Sequence, residues 1–245
     1  MTAIALGSVK GAPGVTTTML AMAAVWPSDR VLLVAELDPD GGVLAARRGV
    51  GFEPGLVTAV AALLRGAGTL HDHTQALGDN VGLLVAPSTA EQVRASIDAA
   101  GEALWPALTA GGGDVLVDCG RLSASSPSLA VARRADVLLL LLRPRLEDVA
   151  LVRDRVPTLR QLSVEPRLVL VDDGPYRTDE VVEVVGVPVI ARLPMDLRTA
   201  DALNGVTAPQ RLTRSRLLRS VRAMVDGLVA VAPRPPDRPV AAEHA

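Results

Sequence analysis

Short apolar runs alternate with longer stretches of helical period along most of the chain, the pattern of a sheet covered by helices. The runs fall at residues 3–8, 31–36, 81–86, 114–118, 136–142, 167–171 and 187–191, and nearly every position in them is apolar. A strand buried on one face alternates apolar and polar residues, whereas an unbroken run predicts a strand buried on both faces of a parallel sheet. Between the runs, the spacing predicts helices over 15–25, 54–65, 89–108, 129–134, 146–162, 178–184 and 195–203. A last helix over 212–231 carries Leu217, Leu218, Val221, Val225 and Leu228 on one side and Arg214, Arg216, Arg219 and Arg222 on the other. Residues 66–80 read as a long loop, and the proline-rich stretch from 233 reads as a disordered tail. The expected architecture is a single doubly wound α/β domain over residues 1–232, followed by the tail 233–245.

Composition narrows this picture. The chain has 245 residues, 49% of them apolar and only 2% aromatic, so its core has to be built from Val, Leu, Ala and Ile. A formal net charge of −2 gives no global reason to expect nucleic acid or an acidic membrane as partner. The arginine side of the last helix can touch phosphates only weakly, and its apolar side has the width needed to cover a sheet, so core packing is expected before membrane targeting or DNA binding. The single cysteine, Cys119, excludes an internal disulfide framework and fits a reducing compartment. No basic segment with a cleavage site opens the chain, and the longest apolar run, 137–142, is far too short to span a bilayer. A cytoplasmic protein without membrane insertion is expected. His71-Asp72-His73 lacks the further ligands that a metal site needs, and it reads as a solvated loop.

Candidate chemistry gathers where strands end. The segment Gly7-Ser8-Val9-Lys10-Gly11-Ala12-Pro13-Gly14-Val15-Thr16-Thr17 sits where the first strand feeds a helix. Glycines there let backbone N–H groups wrap a phosphate, with the helix N-terminus adding positive potential, although a plain tight turn also explains glycines. The chain has 24 arginines and one lysine, and that lysine is Lys10. A compact ammonium and a planar guanidinium are not equivalent at a phosphate, so something beyond charge selects lysine there. The second strand ends in Glu36-Leu37-Asp38-Pro39-Asp40-Gly41-Gly42, and the run 114–118 ends in Asp118-Cys119-Gly120. Each alone is a good turn or a helix cap. Together they would meet in one crevice outside the carboxyl ends of a doubly wound sheet.

These three loops resemble those of the ParA/MinD family of P-loop ATPases, whose phosphate loop reads Lys-Gly-Gly-x-Gly-Lys-Thr-Thr. The resemblance spans about residues 3 to 230. It implies that Lys10, Gly11, Ala12, Gly14, Val15, Thr16 and Thr17 bind nucleotide, with Lys10 reaching across a dimer interface to the partner's phosphates. It implies that Thr16, Asp38 and Asp118 hold magnesium, that Asp38 and Lys10 act in hydrolysis, and that Pro194, in Leu193-Pro194-Met195-Asp196, borders the base.

The departures from the family pattern are as informative. Val15 replaces the lysine that cradles the terminal phosphates, Pro13 removes a backbone donor, Ala12 adds a Cβ, and Glu36 replaces the usual first aspartate. Asp172-Asp173 stands where an adenine-reading Asn is usual. The resemblance thus implies a positioning or assembly factor that forms a homodimer and acts on a protein partner still to be identified. It implies ATP and Mg2+ as ligands, with hydrolysis weak or absent. Two alternatives stay open: a nucleotide-independent scaffold of a pilus, secretion or septum-site system, and a partition ATPase that binds the nucleoid. An active small-molecule kinase or ligase fits less well, because such chemistry needs the missing cation most.

Overall fold

The computed structural model describes residues 1–10, 13–161, 165–206 and 215–231. Eight strands form one sheet: β1 Ala3–Ser8, β2 Leu32–Glu36, β3 Gln75–Gly78, β4 Val81–Leu84, β5 Asp114–Arg121, β6 Val137–Leu142, β7 Pro166–Val171 and β8 Val189–Leu193. Their order is β3-β4-β2-β5-β1-β6-β7-β8. Every pairing is parallel except the antiparallel pair of β3 and β4 at one edge. From β1, β6, β7 and β8 follow outward on one side and β5, β2, β4 and β3 on the other, so the carboxyl ends of β2, β5 and β1 lie side by side.

The apolar runs do what their pattern predicts. Along β1, Ala3 and Ala5 face one core layer while Ile4 and Leu6 face the other. Along β6, Leu138, Leu140 and Leu142 enter the first layer and Leu139 and Leu141 the second. The first layer is closed by α3 Leu56–Arg65, α4 Ala90–Ala100, α7 Leu146–Gln161 and α8 Thr178–Val185. The second is closed by α1 Val15–Val25, α9 Leu197–Leu203 and α10 Arg216–Val231. In α10, Leu217, Leu218, Val221 and Val225 are buried against α1 and β8, while Arg216, Arg219 and Arg222 are exposed. The last helix therefore covers the sheet. Its expected arginines at 211 and 214 lie outside the described residues, as does the tail from 232. Among the described residues, no helix is long and apolar enough to cross a membrane.

Several expectations are corrected. Residues 66–80 are not one loop: they hold a 3-10 turn, Leu70–His73, and the edge strand β3. That strand is four residues long and only half-buried, so it gives no apolar run to read. The helix expected over 89–108 is two, α4 and α5 Leu104–Thr109, because Gly101 takes a φ of 51° between them. The last strand begins at Val189 rather than at 187, since Pro188 has no N–H for a ladder and offers only its carbonyl, to Leu168 N. A five-residue helix, α2 Leu44–Arg48, was not expected at all.

His71, Asp72 and His73 serve local structure. His71 Nε2 accepts from Gly111 N at 3.1 Å, His73 Nδ1 lies 2.9 Å from Thr58 Oγ1, and Asp72 caps the turn at Thr69 N. Cys119 is fully buried, and burial pushes its thiol well above the usual range.

Candidate nucleotide-binding site

Helix α1 starts because Gly14 turns the chain into it. Gly14 sits at φ 92°, a left-handed conformation that favours glycine, and its carbonyl accepts from Thr18 N at 2.8 Å. The turn places Thr16 and Thr17 at the mouth of a cleft. Val15 is buried in the second core layer and also borders that cleft. Pro13 is buried too. The first turn of α1 carries no side-chain cap and no acidic residue, so its backbone donors stay open to a ligand.

Thr16 Oγ1 donates to Asp118 Oδ2 at 2.6 Å, bridging the start of α1 to β5. Asp118 is fully buried, and its other oxygen accepts from Gly120 N at 2.9 Å. Burial pushes the Asp118 carboxyl up to about 6, against the pull of these two hydrogen bonds, and the nearby Asp38 pushes it further. Asp38 is half-buried, raised above the ordinary range mainly by burial, and its Oδ1 accepts from Asp40 N at 2.9 Å. Gly120 lies at φ 57°, and a Cβ there would overlap the Asp38 carboxyl. The two acidic loops are thus fitted to each other through a residue that has to be glycine.

Glu36 has another task. Its side chain is buried, with Oε1 accepting from Val43 N at 2.7 Å and Leu44 N at 3.0 Å, and Oε2 from Ala86 N at 3.0 Å. It ties the end of β2 to the start of α2 and to the loop after β4. Gly42 permits this, since a Cβ at that position would come within 2.6 Å of Glu36 Oε2. Burial lifts the Glu36 carboxyl to about 7 despite the three donors.

The cleft has a volume of about 290 Å³ and is lined by Gly14, Val15, Thr16, Thr17, Asp38 and Asp40, together with Ser8, Val43, Arg47, Gly120 and Arg121. The structure therefore brings together Gly14, Thr16, Thr17, Asp38 and Asp118 from three strand ends. It does not bring in every expected residue. Lys10 is exposed, lies outside the cleft lining and makes no hydrogen bond or ion pair among the described residues. Pro194 is half-buried after β8 and also lies outside the lining. Gly11 and Ala12 fall outside the described residues. Asp172 holds a left-handed backbone at φ 78° and pairs with Arg145 at 3.6 Å.

Arg47 and Arg121 were missed. Arg121 directly follows the hinge glycine, and strand β5 running past Asp118 is what brings it to the rim. Arg47 belongs to α2, which is too short to show a period. Its Nη1 donates to Asn204 Oδ1 at 2.7 Å, and Asn204 Nδ2 donates to Thr17 Oγ1 at 3.1 Å.

The chain superposes on the ParA family ATPase of Chlorobium tepidum with a TM-score of 0.72 at 19% identity, over 93% of this chain and 97% of that one. The fold is that of the ParA and MinD ATPases. MinD of Pyrococcus horikoshii, a septum site-determining protein solved with Mg-ADP, matches at a TM-score of 0.71 and 19% identity, over 93% and 95% of the two chains. MinD of Aquifex aeolicus in its complex with MinC matches at 0.73 and 13%, over 97% and 99%. In sequence the chain matches no family model and no curated protein. The ParA/MinD fold is therefore carried here by a sequence only 13–19% identical to those of these solved structures.

Proposed function

We propose that the protein is a positioning or assembly factor of the ParA/MinD kind that binds a nucleotide in the cleft, dimerises around it and hydrolyses it slowly. The observation that carries this is the meeting of Thr16, Asp118 and Asp38 beside an uncapped α1, combined with an uncharged Val15 in the cleft lining. The oxygen set fits magnesium: a hydroxyl and two carboxylates are hard donors, and the raised Asp118 and Asp38 are acids that a cation would relieve. Among the described residues, no three His, Cys, Asp or Glu side chains form a cage of their own. That fits a magnesium held by one or two protein groups together with phosphate oxygens and water. Thr16, Asp38 and Asp118 would hold it, and Gly14, Thr16 and Thr17 would meet the phosphates. When bound, magnesium would supply charge neutralisation to the terminal phosphates.

Slow turnover follows from Val15. An isopropyl group cannot compensate charge that develops on a transferred phosphoryl group. Losing one such preorganised partner typically costs roughly 2.7–4 kcal/mol, or about 100- to 1,000-fold in rate. Similar solved proteins bind Mg-ADP or assemble with MinC, which supports the same class of role here. Lys10, solvent-exposed and unpaired among the described residues, is free to reach a second copy.

Light scattering on nucleotide-stripped protein tests the proposal. Wild type should shift from monomer to dimer with ATP and magnesium, while Lys10→Ala and Lys10→Arg stay monomeric and folded. A wild type that is dimeric without nucleotide and indifferent to Lys10→Ala would leave the nucleotide-independent scaffold as the better account.

A further inference from the structure

We propose that Arg47 is the side chain that binds phosphate charge in this cleft, in place of the lysine missing at position 15. The inference rests on the nucleotide reading of the cleft and names the residue that makes such binding feasible. A cradle for a di- or triphosphate needs a cation, and Val15 supplies none.

Arg47 and Arg121 both line the cleft, and four observations favour Arg47. It lines the cleft together with Thr16 and Thr17. Arg48, the next residue, borders a different concavity with Trp26, Arg30 and Leu203. Arg47 makes no ion pair among the described residues, and its tether is the neutral amide of Asn204, so its charge is left for something else. Asn204 in turn holds Thr17, in the first turn of α1, which fixes the guanidinium relative to the phosphate loop.

The backbone is equally constrained. Gly205 takes φ 77°, and a Cβ there would strike the Arg47 carbonyl, so the end of α2 is docked tightly on the end of α9. A guanidinium presents five donors in a rigid fork suited to two phosphate oxygens at once. Among the described residues, one of them is engaged, through Asn204.

A cation that contacts the phosphates equally before and during transfer strengthens binding without speeding chemistry. Arg47 thereby reconciles a binding-competent cleft with slow turnover.

Calorimetry on the nucleotide-stripped full chain, with sodium tripolyphosphate and with Mg-ATP as probes, decides the matter. Arg47→Ala and Arg47→Gln should each weaken binding of both probes at least about tenfold. The glutamine keeps a hydrogen-bonding amide toward Asn204 and so isolates the charge. Arg47→Lys should recover part of the loss, and Arg48→Ala should bind within about twofold of wild type. In the Arg47→Ala background, Val15→Lys should restore most of the affinity, which a merely structural arginine would not allow. If wild type binds and Arg47→Ala binds equally well, the assignment of Arg47 is wrong while the nucleotide reading stands. The assignment also fails if Val15→Lys rescues nothing. If wild type binds neither probe, both ideas fall together.

Discussion

Strand β5 carries one aspartate at its first residue and another midway along, and the two live in opposite conditions. Asp114, at the amino end, accepts from Thr2 N at 2.7 Å and from Trp26 Nε1 at 2.9 Å, and it pairs through both oxygens with Arg30. Burial alone would raise its pKa, but these donors outweigh burial and hold the carboxyl below the usual range. Asp118, four residues on, has Thr16 and Gly120 as its donors among the described residues, is close to Asp38, and is raised to about 6. The first carboxylate is matched to a partner within the chain. The second is under-compensated, which is the condition of a group waiting for a cation from outside. The same sheet thus closes one end with a finished salt bridge and leaves the other end electrostatically open.

Removing the finished pair should cost most. Asp114→Ala leaves the Arg30 guanidinium, Trp26 Nε1 and Thr2 N without their acceptor, and breaking such a largely buried pair typically costs about 3–5 kcal/mol. Urea unfolding at neutral pH would measure it, and a loss under about 1 kcal/mol would mean that water replaces the carboxylate easily.

The opposite sign is expected at the other end. A carboxyl whose folded pKa is raised stabilises the fold fully below its unfolded value, and that stability is lost as pH rises through about 6. Asp114, with its lowered pKa, contributes above the ordinary carboxylate range and loses its contribution as pH falls. In magnesium-free buffer, Asp118→Asn should therefore exceed wild type in stability at pH 7.5, on the order of 2 kcal/mol, with the gain vanishing toward pH 4. Asp114→Asn should be destabilised at pH 7.5 and least so in acid. Parallel pH profiles for the two variants would erase the contrast.

The smallest effect concerns the bridge itself. Thr16→Val removes the hydroxyl donor from Asp118 and should lower stability by about 1 kcal/mol. It should also move the Asp118 titration, followed by NMR of the carboxyl carbon, further upward. An unmoved titration would mean that the hydroxyl does not help to hold the charged form.

Much of this was legible from residue order. The doubly wound class, both core layers and the convergence of Thr16, Asp38 and Asp118 follow from apolar runs that end in glycine and acid. What stayed hidden depends on contacts across the chain. Arg47 is one arginine among 24 until Asn204, 157 positions away, fixes it beside Thr17. Helix α2 has five residues, fewer than two turns, and its two buried residues, Leu44 and Ala45, are too few to show a period, while the Glu36 carboxylate accepts from its start. Strand β3 exists because β4 offers it an edge, not because its residues demand extension.

The five consecutive leucines of β6 carry a consequence for how the sheet finds its alignment. Sliding that strand by one residue would exchange leucine for leucine on both faces, so greasiness cannot tell the correct alignment from its neighbours. The discrimination has to come from polar residues at the strand's ends. Asp136, just before it, supplies one, where its N–H donates to Ala3 O at 2.9 Å and its Oδ2 takes the Ala3 N–H at 2.8 Å. That single carboxylate acts as the index mark on an otherwise featureless ruler, setting β6 against β1.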